Sequence, residues 1–206
     1  MKDLIIVGAS GFGMEVAWMA ERCGRKVLGF LDDSPEKIGK KVLDYKVLGT
    51  ISSWQTYQDC EFILAIGSPR GRQVVAEKME ASGKPSYTKL IDPSAIIGDS
   101  NIIEEGAIIC AGVVFTVSIK IGRHCIVNLN STVGHEAKLG NFCTVAPGVS
   151  ISGNVTIGDH VELGTGAVIR EKVYIGNGAV IGMGGVLVND ANESRIFVGN
   201  PAKQLK

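Results

Sequence analysis

One large apolar residue recurs at every sixth position through the second half of this chain. Stepping by six from Ile91 reaches Leu187 without an insertion, and all seventeen positions hold a large apolar side chain. If about 30 % of positions held such residues, chance would not produce this series. A repeat this short predicts a solenoid, in which successive repeats stack to form a continuous core.

Glycine and small residues keep fixed places within the repeat. We expect the residue after the aliphatic to form a tight corner, since glycine tolerates positive φ. It is glycine in eight repeats: Gly98, Gly122, Gly134, Gly140, Gly158, Gly164, Gly176 and Gly182. Three repeats make one coil, and about five coils would stack at ~4.8 Å. Cys125 and Cys143 occupy the same position in consecutive coils and are then small interior residues.

The first half of the chain has a different pattern. Apolar runs alternate with amphipathic segments, which predicts a small parallel α/β domain of the Rossmann-like kind. The pattern predicts strands at 4–7, 27–31 and 62–66 and helices at 14–23 and 72–81. We therefore divide the chain into a Rossmann-like domain at residues 1–88 and a repeat domain at residues 89–206.

A glycine loop joins the first predicted strand to the first predicted helix. Gly8, Gly11 and Gly13 stand where backbone N–H groups at a helix N-terminus bind phosphate. Asp32 and Asp33 follow about 20 residues on, where a dinucleotide fold contacts a ribose. The pattern favours nucleotide binding. The alternative is a tight turn with polar loop residues, and an oxidoreductase is less favoured because roughly 90 residues leave no separate catalytic half.

Charge and cysteine content exclude several classes of protein. The 21 basic and 21 acidic residues balance, so we expect no nucleic-acid or membrane-surface footprint. The five cysteines form no CxxC pair, which argues against a disulfide framework or zinc ribbon and favours a reducing compartment. No apolar run is long enough for a signal peptide or a membrane span. We expect a soluble, cytoplasmic protein.

The repeat also places the three histidines. His124 and His160 share one position of the repeat and lie two coils, or about 10 Å, apart. Zinc ligands lie about 2 Å from the metal, so these two residues cannot share one ion. We expect both to be polar surface residues and predict no metal site. His135 falls at another position of the repeat.

His135 lies in a stretch that resembles a known family. Five stretches carry the resemblance: Gly8-x-x-Gly11-x-Gly13, Phe30-Leu31-Asp32-Asp33, Ala65-Ile66-Gly67, Asn128 to His135-Glu136, and Val198-Gly199-Asn200-Pro201-Ala202-Lys203. They extend over nearly the whole chain, which is similar to bacterial hexapeptide-repeat sugar acetyltransferases of the sialic acid O-acetyltransferase and UDP-4-amino-sugar N-acetyltransferase type. The resemblance implies a left-handed parallel β-helix after the Rossmann-like domain, and a homotrimer.

The resemblance also implies roles for particular residues. His135 would be the general base, and Glu136 would orient its imidazole, which requires a corner between these neighbours. Asn128 would lie near the acceptor, and the Gly153 N–H would donate to the thioester carbonyl. The remaining matches would bind the nucleotide sugar (Gly8, Gly11, Gly13, Asp32, Asp33 and Gly67) and acetyl-CoA (Pro201, Ala202 and Lys203).

The implied function is acetyl-CoA-dependent N-acetylation of a nucleotide-activated amino sugar, by direct attack on the thioester and without a metal. The alternative is O-acetylation of sialic acid or a related sugar, and a non-enzymatic scaffold is a second class. Two departures from the family concern the acceptor. Thr144 stands where relatives often carry a second histidine, and Phe12 stands where their glycine loop often has one.

Overall fold

A computed structural model describes residues 2–205, which form two compact units that divide between Leu90 and Ile91. The first unit contains an open five-stranded sheet flanked by helices, and the second contains three sheets of very short strands. No helix among residues 2–205 combines the length and apolar character that crossing a bilayer requires.

The first unit alternates strands and helices. Its sheet has the order β3-β4-β2-β1-β5, and β1 pairs in parallel with both β2 and β5. The elements are β1 (Leu4–Val7), α1 (Gly11–Arg22), β2 (Val27–Leu31), β3 (Lys41–Val42), β4 (Tyr45–Gly49), a 3₁₀ helix (Ile51–Tyr57), β5 (Glu61–Leu64) and α2 (Pro69–Ala81). This confirms the predicted Rossmann-like α/β class.

Both helices begin three residues earlier than the apolar periodicity predicts. Ser10 and Ser68 are their N-cap residues, and Pro69 occupies the first turn of α2, where its missing N–H costs nothing. In α2 the Ser68 side chain accepts the Gly71 N–H, so capping chemistry sets the first turn of that helix. The central strand β1 is buried at all four positions, as expected of a parallel strand covered on both faces.

A run of seventeen two-residue strands extends from Leu90 to Leu187, and the second residue of each belongs to the six-residue apolar series. The strands are β6 (Leu90–Ile91), β7 (Ile96–Ile97), β8 (Ile102–Ile103), β9 (Ile108–Ile109), β10 (Val114–Phe115), β11 (Lys120–Ile121), β12 (Ile126–Val127), β13 (Thr132–Val133), β14 (Lys138–Leu139), β15 (Thr144–Val145), β16 (Ser150–Ile151), β17 (Thr156–Ile157), β18 (Glu162–Leu163), β19 (Val168–Ile169), β20 (Tyr174–Ile175), β21 (Val180–Ile181) and β22 (Val186–Leu187). Two further strands, β23 (Ile196–Val198) and β24 (Lys203–Gln204), end the chain.

The strands form three faces of a prism. Every third strand pairs in parallel, so that paired residues are one coil apart, as Val114 with Thr132 and Thr132 with Ser150 show. The β6 sheet contains β6, β9, β12, β15, β18, β21, β23 and β24; the β7 sheet contains β7, β10, β13, β16, β19 and β22; the β8 sheet contains β8, β11, β14, β17 and β20. This is the left-handed parallel β-helix that the resemblance implied.

The prism interior is filled by the aliphatic series and by small residues four positions later. Cys125 and Cys143 are buried, and their thiols donate to the carbonyl oxygens of Gly140 and Gly158 at 2.9 and 3.0 Å. Their predicted role as interior residues is confirmed.

The predicted position of the corners was wrong. Positive φ occurs three residues after the aliphatic, at residues that include Ser118, His124, Asn130, Glu136, Phe142, Asn154, His160 and Lys172. The glycines directly after the aliphatic serve another purpose, because successive coils approach closely there. A Cβ on Gly122 would lie 2.6 Å from the carbonyl carbon of Gly140. Glycine is required at these positions because the neighbouring coil leaves no room for a side chain, and not because the backbone has a positive φ.

The prediction that His124 and His160 lie on the surface was wrong for His124, which is fully buried, whereas His160 is partly buried. The Phe142 ring stacks between them, with centroid distances of 5.1 and 5.6 Å. Rings at equivalent positions in adjacent coils cover one another, since the coils are only ~4.8 Å apart. Phe142 shares the repeat position of both histidines, and this was the sequence signal for the stack.

Candidate active site

The pair His135 and Glu136 lies at a corner between β13 and β14. Glu136 has φ of 60°, so the chain turns and the two consecutive side chains lie together. The distance from His135 Nδ1 to Glu136 Oε2 is 3.0 Å, and both side chains are more than half exposed. The corner that this pairing requires is therefore present.

Hydrogen bonding holds the pKa of Glu136 below its usual value. The bond with His135 is the largest cause, and a second bond comes from Asn154. The carboxylate is thus ionised at neutral pH and accepts the proton on His135 Nδ1. The other ring nitrogen, Nε2, is then the basic one, which is the arrangement a general base requires.

Gly153 lies under the His135 ring in the next coil. A Cβ on Gly153 would overlap the imidazole, with Nε2 as its nearest atom. Within residues 2–205 the Gly153 N–H has no hydrogen-bond acceptor. Arg123 holds the equivalent repeat position at another corner, and its N–H does have an acceptor, the Asn141 side-chain oxygen at 3.0 Å. A free N–H donor therefore lies beside the basic nitrogen of His135.

Asn128 does not join His135 within one chain. It follows β12 and precedes β13, whereas His135 follows β13, so the two residues lie at opposite edges of the β7 sheet. The Asn128 side-chain oxygen accepts a hydrogen bond from the Cys110 thiol at 3.6 Å.

The C-terminal tail lies at the far end of the β-helix from His135. Ala202 N–H donates to the Val186 carbonyl at 2.8 Å, and β24 pairs antiparallel with β23. The strand β22 is three coils beyond β13 in the β7 sheet, which corresponds to about 14 Å. Pro201 and Lys203 are exposed. None of the three predicted tail residues contacts His135.

A cleft that the sequence repeat did not predict lies on the prism edge that carries His135. It has a volume of about 500 Å³ and is lined by residues 170–173 and 188–190. Glu171 is one coil beyond Gly153, so the cleft continues the edge that carries His135. Arg170 and Lys172 place exposed cations in it. The whole-coil spacing from His135 was the signal that could have identified this cleft.

A second cleft lies in the first unit, at the carboxyl ends of β1, β2 and β5. Its volume is about 440 Å³, and its lining includes four predicted residues, Gly8, Asp32, Asp33 and Gly67. The lining also includes Ser10, Ser34, Ile51, Ala65 and Ile66. Ligands of open α/β folds bind at this end of the strands.

Gly11 and Gly13 do not line this cleft. Gly13 is buried, and a Cβ there would overlap the Gly8 carbonyl, so Gly13 allows α1 to pack closely on the end of β1. Gly11 is exposed in the first turn of α1. The Ser10 side chain makes no capping hydrogen bond, which leaves first-turn N–H groups open to an anion.

The two aspartates at the end of β2 are already engaged in the fold. Asp32 accepts the N–H groups of Ala9 at 2.7 Å and Ser34 at 2.9 Å. Burial acts to raise the pKa of Asp32, but these hydrogen bonds and nearby Lys37 outweigh it, and the pKa is lowered. Asp33 accepts the Ile51 N–H at 2.8 Å. Asp32 thus ties the glycine loop to β2, and Asp33 is the more exposed of the two.

No group of three His, Cys, Asp or Glu side chains among residues 2–205 is arranged to hold a metal ion.

Each of the two units matches a known protein family. Residues 3–79 match the family described as PglD N-terminal domain, and residues 154–189 match bacterial transferase hexapeptide (six repeats). GDP-perosamine N-acetyltransferase from Escherichia coli O157:H7 is 34 % identical over 141 residues. That match covers 65 % of this chain and 62 % of the relative.

Solved structures resemble the chain over its whole length. PerB from Caulobacter crescentus, in complex with CoA and GDP-perosamine, has 30 % identity and a TM-score of 0.93, and the match covers 100 % of this chain and 98 % of that one. The acetyltransferase domain of PglB from Neisseria gonorrhoeae, in complex with acetyl coenzyme A, has 33 % identity and a TM-score of 0.92, with 99 % of both chains covered. The chain therefore belongs to the family of hexapeptide-repeat sugar acetyltransferases with a PglD-type N-terminal domain.

Proposed function

We propose that this protein transfers the acetyl group of acetyl-CoA to the amino group of a nucleotide-activated amino sugar. One observation carries the proposal. The basic nitrogen of His135 lies over Gly153, whose N–H has no acceptor within residues 2–205. A base and an oxyanion donor are thus adjacent, as acyl transfer requires.

The reaction follows from this arrangement. His135 Nε2 accepts a proton from the sugar amine as its nitrogen attacks the thioester carbonyl. The Gly153 N–H donates to the oxygen on which negative charge develops. Collapse breaks the C–S bond, and the imidazolium returns its proton to the CoA thiolate. The Glu136 carboxylate stabilises the imidazolium, and base catalysis of this kind contributes about 10²- to 10⁴-fold.

The clefts suggest where each substrate binds. We assign the nucleotide of the sugar to the cleft with Gly8, Asp33 and Gly67, beside the first turn of α1. We assign acetyl-CoA to the prism edge that runs from Gly153 toward the cleft with Arg170 and Lys172. Its lining also carries Glu171 and Asp190, and Arg170 pairs with Glu171 at 3.8 Å, so Lys172 is the cation that we expect to meet a phosphate. We also propose that the tail at Pro201, Ala202 and Lys203, which lies against β22 and β23 at the end of the β-helix, contributes to acetyl-CoA binding. The two kinds of ligand are those named for PerB, which was solved in complex with CoA and GDP-perosamine.

We propose that three copies assemble through the β7 sheet. Its outward residues are mainly apolar (Ile96, Val114, Thr132, Ser150, Val168 and Val186), whereas those of the β8 sheet are mainly polar (Ile102, Lys120, Lys138, Thr156 and Tyr174). Ile96 and Val168 are 66 % and 41 % exposed in the isolated chain, so a neighbouring copy would bury them. His135 borders this sheet, and a neighbour would complete the walls of its groove.

We place the reaction in the cytoplasm. Acetyl-CoA and nucleotide sugars are the substrates of the proposal, and all five cysteines are free thiols, as in proteins of reducing compartments.

O-acetylation of sialic acid or a related sugar would use the same catalytic pair. Only the acceptor differs, and Thr144 and Phe12 are the two positions where this chain departs from the family. Thr144 lies in β15 and is largely buried, and Phe12 lies in the first turn of α1. The Escherichia coli relative is a GDP-perosamine N-acetyltransferase, which favours the amine.

The test follows thiol release from acetyl-CoA with GDP-perosamine, UDP-4-amino-4,6-dideoxy-sugars and sialic acid. Each acceptor is offered to the wild type and to His135→Ala. Release with one amino sugar, abolished in the variant, is the expected result. Release with sialic acid alone would replace the proposal by O-acetylation. A scaffold role predicts no release and normal assembly of His135→Ala.

A further inference from the structure

We propose that Asn154 is a positioning residue, which holds the Glu136 carboxylate so that His135 keeps its proton on Nδ1. The proposal deepens the proposed function, because it explains how the general base is prepared. Asn154 touches neither the amine nor the thioester in this scheme and acts through Glu136.

Three hydrogen bonds link these residues across two coils. The Asn154 side-chain nitrogen donates to Glu136 Oε2 at 3.1 Å, and the same oxygen lies 3.0 Å from His135 Nδ1. The backbone N–H of Asn154 also donates to the His135 carbonyl at 2.8 Å. Asn154 therefore fixes both the backbone of His135 and the partner of its ring.

The repeat explains why these side chains meet. Glu136 and Asn154 are one coil apart, and both are corner residues with φ near 60°. Equivalent corners of adjacent coils are stacked, so their side chains leave the prism in the same direction. Asparagine suits this place twice, since it tolerates left-handed φ and its amide supplies the donor.

Glu136 needs this support because it is exposed. A carboxylate paired only with a neighbouring side chain in water gains little from the pair and samples other rotamers. The amide of Asn154 removes that freedom. It also contributes, after His135, to the lowered pKa of Glu136, so the carboxylate remains an acceptor.

The coil under His135 thus supplies two consecutive residues. Gly153 leaves room for the ring, and Asn154 holds the carboxylate. Loss of the Asn154 amide would free the carboxylate that fixes the tautomer of His135. Residues that orient the ligands of a metal site in the same way contribute about tenfold or more, and we expect an effect of that order here.

Two variants test the role of the amide. Asn154→Asp preserves size but removes the donor, and Asn154→Gly removes the side chain at a φ that glycine accepts. We expect each to lower kcat about tenfold while KM for acetyl-CoA stays constant. Asn177→Ala is the matched control, because its side chain also bonds the preceding coil, at Asp159 N–H, but on another corner. It should lower Tm and leave kcat unchanged.

A second readout requires no acceptor. The chain has three histidines, so the ¹⁵N spectrum of the imidazoles can be assigned by the loss of one set in His135→Ala. In the neutral wild type, His135 should be in the Nδ1–H form, and Asn154→Gly should mix the two tautomers. An unchanged tautomer in Asn154→Gly, or wild-type kcat in Asn154→Asp, would overturn the proposal. A tautomer shift in a protein inactive on every acceptor would support this role and reject the proposed function.

Discussion

The imidazole of His135 fills the space that a side chain on Gly153, in the adjacent coil, would occupy. The position of His135, the proposed base, therefore depends on a residue without a side chain.

Gly153→Ala should lower kcat about 100-fold, since a displacement of the base by about 1 Å costs that much. The added methyl group would force the His135 ring aside without removing the Gly153 N–H. The measurement is steady-state thiol release with whichever acceptor of the proposed panel supports turnover. Gly166→Ala is the control, because its Cβ meets nothing within 4 Å. Its φ of 69° should cost about 1 kcal/mol of stability but no activity. Equal kcat losses in both variants would contradict this role of Gly153.

Glu136→Gln should lower kcat about 10- to 100-fold with little change in KM. The amide can donate to His135 Nδ1, which stabilises the wrong tautomer, and it provides no charge for the imidazolium. The same kinetic assay measures this effect. Glu162→Gln changes the same charge on the outward side of β18 and should behave as wild type. Full activity in Glu136→Gln would show that the carboxylate is not required.

Asp32→Asn should reduce the free energy of unfolding by about 2 kcal/mol at pH 7, because buried hydrogen bonds to a charged group are lost. The pKa of Asp32 is lowered in the folded protein from an ordinary value of 3.8. The contribution of Asp32 to the free energy of unfolding is therefore complete above about pH 4 to 5. It disappears as the pH falls through the pKa of Asp32 in the folded protein, which lies below 3.8.

Urea unfolding of the wild type and Asp32→Asn across this range measures the difference. Asp99→Asn makes the same change at an exposed position and should have little effect at any pH. A destabilisation of Asp32→Asn that persists undiminished at the lowest pH would contradict the electrostatic explanation.

Val168→Lys should disrupt the trimer, because it places a charge on the outward surface of the β7 sheet, beside Val186. Thr156→Lys puts the same side chain on the outward surface of the β8 sheet and should remain trimeric. Light scattering coupled to size exclusion measures both masses. A trimeric Val168→Lys and a dissociated Thr156→Lys would move the interface to the other face. Loss of activity in dissociated Val168→Lys would show that a neighbour completes the site.

The sequence period predicts most of the β-helix. Each of the seventeen apolar residues of the series ends a strand, since one such residue per face is enough to set the register. The corners could not be located in this way, because glycine serves two purposes in the repeat. Gly122 is needed for close approach, whereas left-handed corners such as Phe142 and Lys172 carry no glycine at all.

The site was harder to predict than the fold. The His135–Glu136 contact depends on the φ of Glu136, which no residue type encodes unambiguously. Asn154 was missed because its partner lies a whole coil away, and the resemblance had drawn attention to Gly153 alone. His124 was misplaced because its burial depends on Phe142, a neighbour only in the folded coil.

The uninterrupted register of the coils has a consequence for the length of ligand the edge can hold. From Ile91 to Leu187 no coil is longer or shorter than another, so each coil adds the same ~4.8 Å to the length of the β-helix. Gain or loss of one whole coil between Gly153 and the C-terminal tail would change the distance between them by ~4.8 Å. It would leave every side chain on its original face, whereas a single inserted residue would rotate all that follow. The span between the base and the tail can therefore change only in whole coils.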